Sequence, residues 1–505
     1  MLGRFIALLA GLVFLGLLEF GLRVLDVGSE EGLFIAEGND YRLNPHAARR
    51  FFPHQYVRLA AGQDRFAREK DANTFRVFAL GASTLLGFPN PAHTSFPNFL
   101  QMMLQDAYPE REIEVVNCGI TAINSFVLLD FVAEIADRSP DLVIIYAGHN
   151  EFVGPYGAAT PFVRLGGNGS FIRLQMMVQR SKIYYVLGEI LYGIGEWLSR
   201  DEEPASFGLH LVQREINLGD EAHRRTEANF RRNLAQILGA LHERDIPVAL
   251  STLVANLEGF YPLRSEAPQP PIGLASQSMV DDYPRHAALH FEAGVSQLAA
   301  GDSSAALSSF IRARDLDTIH LRACSPFNQI IRELAADPDV FLVDVERVFS
   351  AQSPRGLIGD ELITEYLHPT VLGHYLIAHS MFSVIAEHEE KVGLDGGNWA
   401  GLALFNEYTQ RLGYGTRDQI LARNDLILLL RNMPYAESPP ILERRLAELI
   451  GVQLRQLPSL SYAQIANFAR RGGFAFLAEV IAGLNDAQHL ADELEELAGP
   501  LGFAP

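Results

Sequence analysis

A chain of 505 residues, 48% hydrophobic and 20% charged, is long and apolar enough for more than one packed unit, which excludes bulk disorder. A net charge of −20 leaves no basic stripe to neutralise phosphates, which excludes a nucleic-acid binder. The two cysteines, Cys118 and Cys324, form no CxxC and no zinc spacing, and two buried thiols are preferred over one disulfide because Cys118 ends an apolar strand.

The amino-terminal segment is the first element. Arg4 precedes an uncharged run from Phe5 to Leu18, followed by Glu19, Phe20-Gly-Leu22, Arg23 and Val24-Leu25. The run is short against the ~20 residues of a spanning helix, and no A-x-A cleavage site follows it. With Glu19 at the interface, Arg4 to Val27 spans, so residues 1–28 are expected to be an uncleaved signal anchor. The rival reading is a buried helix of a soluble protein. Arg4 and Arg23 flank the run on both sides and specify orientation only weakly.

Residues 29–74 are polar and irregular and read as a linker or extension. An α/β pattern then begins. Strands are expected at Phe75–Leu80, Ile113–Asn117, Asp141–Tyr146, Val248–Leu253 and Val340–Val343. Between them, apolar residues at helical spacing mark helices over Phe96–Ala107, from Ser125 through Val132, and over Glu227–Leu241; a last helix follows Pro369. Apolar strands alternating with amphipathic helices predict a parallel sheet covered on both faces. Two insertions interrupt the pattern. Residues 155–222 are partly apolar, and read equally well as a lid or as packing helices. Residues 284–335 carry Gly294, Gly301, Ala306, Phe310 and Ala313 at the spacing of one tetratricopeptide-like hairpin. From 389 to 505 the chain is expected to be an accessory helical domain, with apolar stretches at Leu426–Leu430, Ile441–Ile450 and Phe474–Leu484.

Four motifs fall at strand ends, where parallel sheets bind ligands. They are Gly81-Ala82-Ser83, Asn117 through Ala122, Gly148-His149-Asn150-Glu151 and Glu365-Tyr-Leu-His368. Serine chemistry needs a hydroxyl, a base, a group to hold the base, and donors for the developing oxyanion. Ser83 at the strand-to-helix turn is the candidate nucleophile, ahead of the β-branched Thr84. His368 is the candidate base and Glu365 its acid, with Asp360 and Glu361 as more distant alternatives. The Ser83 N–H, a backbone N–H after Asn117 and the Asn150 amide are the candidate oxyanion donors. Each such donor is worth about 3–4 kcal/mol of barrier. His149, Asn256 and Arg322 are candidate substrate contacts, weighed against the blander readings of an exposed loop residue for His149 and a loop brace for Arg322. Asp344 is expected to orient the loop carrying Glu365. His374 and His379 are read as surface or capping residues of the last helix.

These residues resemble the SGNH, or GDSL-type, esterases and lipases. The family's Gly-Asp-Ser block stands here as Gly81-Ala82-Ser83, and its Gly-x-Asn-Asp block as Gly148-His149-Asn150-Glu151. Its Asp-x-x-His block stands as Glu365-Tyr366-Leu367-His368. Its glycine five residues after an asparagine corresponds to Ala122 after Asn117, where the family uses the backbone N–H as an oxyanion donor. Three departures follow: Ala82 for aspartate, Ala122 for glycine and Glu365 for aspartate. The stretches Ala122-Ile-Asn124-Ser125, Gly148 to Phe152 and Ala313 to Asp317 also resemble a bacterial subgroup with an amino-terminal hydrophobic segment and a tetratricopeptide-like insertion. The resemblance covers residues 75–388 and implies a three-layer, flavodoxin-like α/β fold.

The expected function is thus a membrane-anchored serine ester hydrolase that works through an acyl-enzyme, with no metal and no organic cofactor. Its expected substrate is an ester of an envelope glycan or lipid, outside the cytoplasm. An O-acyltransferase using the same triad and a non-catalytic envelope scaffold are the alternatives.

Overall fold

Five apolar runs become one parallel sheet in the computed structural model of the chain, which describes residues 2–25, 27, 32–52, 61–62, 64–160, 169–198, 214–266 and 277–430. The strands are β4 (Thr74–Gly81), β5 (Glu112–Asn117), β6 (Leu142–Tyr146), β7 (Val248–Ser251) and β8 (Val340–Val343). They are ordered β5-β4-β6-β7-β8 and every pairing is parallel. All residues of β4, β6 and β7 are buried, as a sheet covered on both faces requires.

The connections explain the cover. The crossover from β4 to β5 runs one way along the sheet and that from β5 to β6 runs back, so right-handed crossovers put their helices on opposite faces. Helix Phe96–Ala107 packs with helix Val371–Glu387, and helix Ser125–Ala136 packs with helix Glu221–His242. The strand order reverses at β4, and the crevice at the carboxyl ends of β4 and β6 is the switch point at which such sheets bind ligands.

The extension before β4 departs from the irregular reading. It holds a three-stranded antiparallel sheet, β1 (Phe34–Glu37), β2 (Asp40–Leu43) and β3 (Arg65–Ala67). Phe34 and Phe66 pack against Phe78 of β4, with ring centroids 5.7 and 5.2 Å away. Arg76, fully buried on β4, donates to Glu114 at 2.6 Å and to the Ala67 carbonyl at 2.9 Å, so its charge is paired where it is buried.

The second insertion forms helices Ala287–Ala299 and Ser303–Asp315. A Cβ at Gly294 would lie 2.9 Å from the Phe310 ring, so the small residue sets how closely the two helices approach. The first insertion contributes helices Gly169–Gln179 and Lys182–Leu198. Helix Leu2–Val24 stands at the amino end, and its span Arg4–Val24 is long and apolar enough to cross a membrane.

The chain divides into two units at Gly413 and Tyr414. The first runs on beyond the last sheet helix: Trp399 packs on Phe382 and Arg411 pairs with Asp106. Of the second, helix Thr416–Leu430 is described, and it includes the stretch expected at Leu426–Leu430. The stretches Ile441–Ile450 and Phe474–Leu484 lie outside the described residues. Cys118 and Cys324 are both free and buried.

Candidate active site

The turn after β4 is forced by its glycine. A Cβ on Gly81 would sit 2.3 Å from the Tyr146 carbonyl oxygen of the neighbouring strand, a contact no backbone can relieve. The chain then turns through Ala82 into a short helix, Ser83–Leu86, with no side chain capping its start. Ser83 is the first helical residue, and no described residue accepts a hydrogen bond from its N–H. Its Oγ lies 2.7 Å from His368 Nε2, although 285 positions separate the two in sequence.

The base is held from behind. Glu365 is wholly buried and accepts the Nδ1 proton of His368. The same oxygen accepts the backbone N–H of His368 at 2.9 Å and of Leu367 at 3.3 Å; the second oxygen accepts that of Tyr366. With Nδ1 protonated against a carboxylate, Nε2 faces Ser83 as an acceptor, the tautomer a general base needs. Burial alone would raise the Glu365 carboxyl. The adjacent His368 ring and the backbone donors outweigh it and hold the group below the usual carboxylate range. Asp360 and Glu361 are engaged elsewhere, with Asn256 and with the Gly359 N–H. Phe88, which the sequence did not single out, meets the His368 ring edge-on at 4.8 Å.

The two other candidate oxyanion donors lie on two further turns. Ala122 has φ +60°, a left-handed conformation, and no described residue accepts from its N–H. Asn150 gives one amide hydrogen to the Ile123 carbonyl at 3.0 Å, which ties the turn after β6 to the turn after β5 and leaves the second hydrogen uncommitted. Asn117 braces the nucleophile instead, donating to the Leu85 carbonyl at 2.6 Å and accepting from the Gly119 N–H at 2.9 Å. Gly62 and Asp64 stitch onto the same turn: Gly62 donates to the Gly119 carbonyl, and Asp64 accepts the Asn117 N–H at 2.8 Å. Only the folded extension brings Asp64 there.

Several polar residues lie deeper than the sequence reading placed them. His149 is buried, not exposed on a loop. Its Nδ1 accepts the Ala323 N–H at 3.1 Å, so Nε2 carries the proton, and Nε2 is buried with no partner among the described residues. Burial, then the neighbouring His368, pushes His149 down to about 3. His374 is also wholly buried rather than on the surface, and burial pushes it to about 3.

The remaining candidates are built into the frame. Asn256 donates to Asp360 at 2.7 Å and to the Ile363 carbonyl at 3.2 Å, and accepts the Gly259 N–H, so its amide is fully engaged. Arg322 is buried over the Tyr366 ring, donating to the Asn256 carbonyl at 2.8 Å beside Asp317. Asp344 caps helix Val345–Gln352 and pairs with Arg332. Hydrogen bonds thus join Ser83, His368 and Glu365 into one chain, with His149 buried near His368, while Asn256 and Arg322 are engaged by the frame.

Residues 79–376 match the model of the GDSL-like Lipase/Acylhydrolase family. No curated protein matches the chain. Among solved structures, the acetyl xylan esterase AlAXEase is 13% identical at a TM-score of 0.31, over 62% of this chain and 100% of that one. A GDSL-like lipase from Bacteroides thetaiotaomicron is 12% identical at 0.29, over 65% and 92%. Axe2, an acetylxylan esterase from Geobacillus stearothermophilus, is 13% identical at 0.29, over 65% and 97%.

Proposed function

From the premise that the chain belongs to the GDSL-like lipase/acylhydrolase family and is an enzyme of ester hydrolysis, we propose that it is a membrane-anchored serine esterase working through an acyl-enzyme. The observation that carries the mechanism is the 2.7 Å contact of Ser83 Oγ with a His368 whose other nitrogen is held by Glu365.

Ser83 Oγ attacks the ester carbonyl as its proton passes to His368 Nε2. The carbonyl oxygen becomes an oxyanion that the N–H groups of Ser83 and Ala122 and the second amide hydrogen of Asn150 can meet. Glu365 stabilises the imidazolium without itself taking the proton. As the intermediate collapses, the C–O bond to the alcohol breaks and His368 returns its proton to the departing alkoxide. Water then attacks the acyl-enzyme with His368 again as base, releasing the acid and restoring Ser83.

Anchoring through helix Leu2–Val24 is supported by the length and apolar composition of Arg4–Val24 and by the exposure of that span. Retention of the helix, rather than cleavage, is supported by Glu19, which accepts from the Lys182 N–H at 3.0 Å, the Ile183 N–H at 3.1 Å and the Ser181 hydroxyl at 2.7 Å. Removing the helix would uncap the start of helix Lys182–Leu198. In this reading the catalytic part lies outside the cytoplasm, where esters of envelope glycans or lipids are the accessible substrates.

The test is labelling of the full chain in detergent with a serine-reactive phosphonate, alongside turnover of a short-chain nitrophenyl ester. Labelling and turnover in the wild type and loss of both in Ser83→Ala and His368→Ala are expected. Labelling that survives Ser83→Ala, or a folded wild type that neither labels nor turns over, overturns the proposal.

A further inference from the structure

The two helices Gly169–Gln179 and Lys182–Leu198 turn the wrong face outward for a protein in water. On the first, Ile172 and Met176 are buried, while Phe171, Leu174 and Val178 are half or more exposed. On the second, Tyr184, Leu187 and Leu191 are 42, 53 and 68% exposed. Met177 and Ile190 are exposed as well, and both sets recur every three or four residues, so each lies along one helical face. Large side chains scattered singly on a surface need no explanation, but a two-helix apolar face marks a contact.

This face is fixed to the amino-terminal helix. Glu19 caps helix Lys182–Leu198, and Arg23 donates to the Arg180 carbonyl at 2.9 Å and to Glu19 at 2.8 Å. The pair is also fixed to the catalytic unit, since the Arg180 guanidinium meets Asp130 at 2.6 Å and the Tyr156 hydroxyl donates to Gln179. Glu19 and Arg23 are the charged residues at the carboxyl end of an otherwise apolar span, and they mark where that span leaves the hydrocarbon. The exposed stripes therefore begin beside the point where the anchor emerges. The second helix has 17 residues, roughly 25 Å at 1.5 Å per residue, too short to span by itself. A chain of net charge −20 gains no attraction from anionic headgroups, so a surface contact must be apolar.

We infer that the 169–198 helix pair lies in the lipid surface, with its outward stripes among the headgroups and upper acyl chains of the leaflet the anchor leaves. The inference rests on the anchor reading of helix Leu2–Val24. It makes the catalytic unit a body seated on the membrane by two joined contacts, not one carried on a loose stalk. The lipid leaflet is the occupant because the anchor and the stripes share one hydrogen-bonded junction.

The experiment uses the full chain in phosphatidylcholine–phosphatidylglycerol nanodiscs, with single reporter cysteines at Leu174→Cys and Leu187→Cys. Val13→Cys reports on the anchor and Ser308→Cys on a solvent-exposed helix. Native Cys118 and Cys324 are buried and stay unlabelled in folded protein. Each reporter carries a polarity-sensitive dye, and quenching by lipids with a spin label high on the acyl chain is read. Quenching at positions 174 and 187 roughly threefold or more above position 308 is expected. Quenching at position 13 with positions 174 and 187 at the level of position 308 overturns the inference and leaves the anchor standing. No quenching at position 13 overturns both. Cross-linking between copies through positions 174 and 187 without lipid quenching identifies the face as a self-association surface and also overturns the inference.

Discussion

Replacing Glu365 by glutamine tests the triad at its least replaceable atom. The glutamate accepts four hydrogens: the Nδ1 proton of His368 and the backbone N–H groups of Tyr366, Leu367 and His368. A glutamine offers one acceptor oxygen and one NH₂, and both orientations fail. With the oxygen toward His368, the NH₂ faces the Tyr366 N–H, which is left unsatisfied at about 1–3 kcal/mol, and the imidazolium has no counter-charge. With the NH₂ toward His368, it donates to Nδ1 and drives the proton onto Nε2, where it blocks proton transfer from Ser83. The equivalent carboxylate-to-amide change in a serine triad lowers kcat by ~10⁴, about 5.5 kcal/mol of barrier. We expect a similar fall in kcat for Glu365→Gln on a nitrophenyl ester, a much smaller change in KM, and a folded protein by circular dichroism. A variant that keeps more than about a tenth of wild-type kcat would show that Glu365 does not orient the base.

Ala122→Gly is expected to stabilise the fold. A left-handed alanine costs about 1–2 kcal/mol, and the added freedom of glycine in the unfolded chain offsets about 0.4–1 of that. The net gain of about 0.5–1 kcal/mol is read by urea unfolding, with kcat unchanged because the N–H remains; a loss of stability contradicts the strain argument. Glu151 predicts a pH dependence. Burial raises its carboxyl to about 7 despite its bonds to the Ser125 N–H and hydroxyl, against 4.5 in the unfolded chain. Between those values the native state keeps a proton that the unfolded state has released, so stability is lost as pH rises through 4.5 to 7, by up to about 3 kcal/mol. Glu151→Gln removes this dependence. The stability of wild type relative to variant, measured from pH 4.5 to 7.5, should fall across the window, and a flat difference rejects the burial argument.

What could be read from the sequence was what local pattern controls. β4, β6 and β8 are short apolar runs between helical periods, so they fall within a residue or two of their expected positions. The blocks around Ser83, Asn150 and His368 each follow such a run, and a parallel sheet gathers strand ends whatever lies between them. The strands of the extension are only three and four residues long, and their partners are Phe78 and Arg76 far along the chain, so nothing local marked them. The burial of His149 and His374 was hidden for the same reason. A histidine in a loop or on a helix looks exposed until the elements packed over it are known. Asn256 and Arg322 have the chemistry of substrate contacts, but the return of residues 356–363 and 317–322 against the loop after β7 gives them protein partners first.

The three departures from the family's motifs bear on how the site works. At each, backbone geometry accommodates the changed residue. Ala82 carries no cap for helix Ser83–Leu86, and that leaves the Ser83 N–H without an acceptor among the described residues, as the proposed oxyanion role requires. Ala122 lacks the freedom of glycine, yet it is held at φ +60° between Asn150, bonded to Ile123, and Gly154, whose small size admits the Ala122 carbonyl. Glu365 is one methylene longer than aspartate and would swing more freely in solvent. Here it folds back onto three N–H groups of its own loop, so the extra bond adds reach without adding motion. The loop is closed in turn by the Thr364 N–H on the His368 carbonyl at 2.7 Å. In the proposed mechanism, then, the site is a property of four turns and the sheet that aligns them, with side-chain identity needed at Gly81, Ser83, Asn150, His368 and the carboxylate behind it.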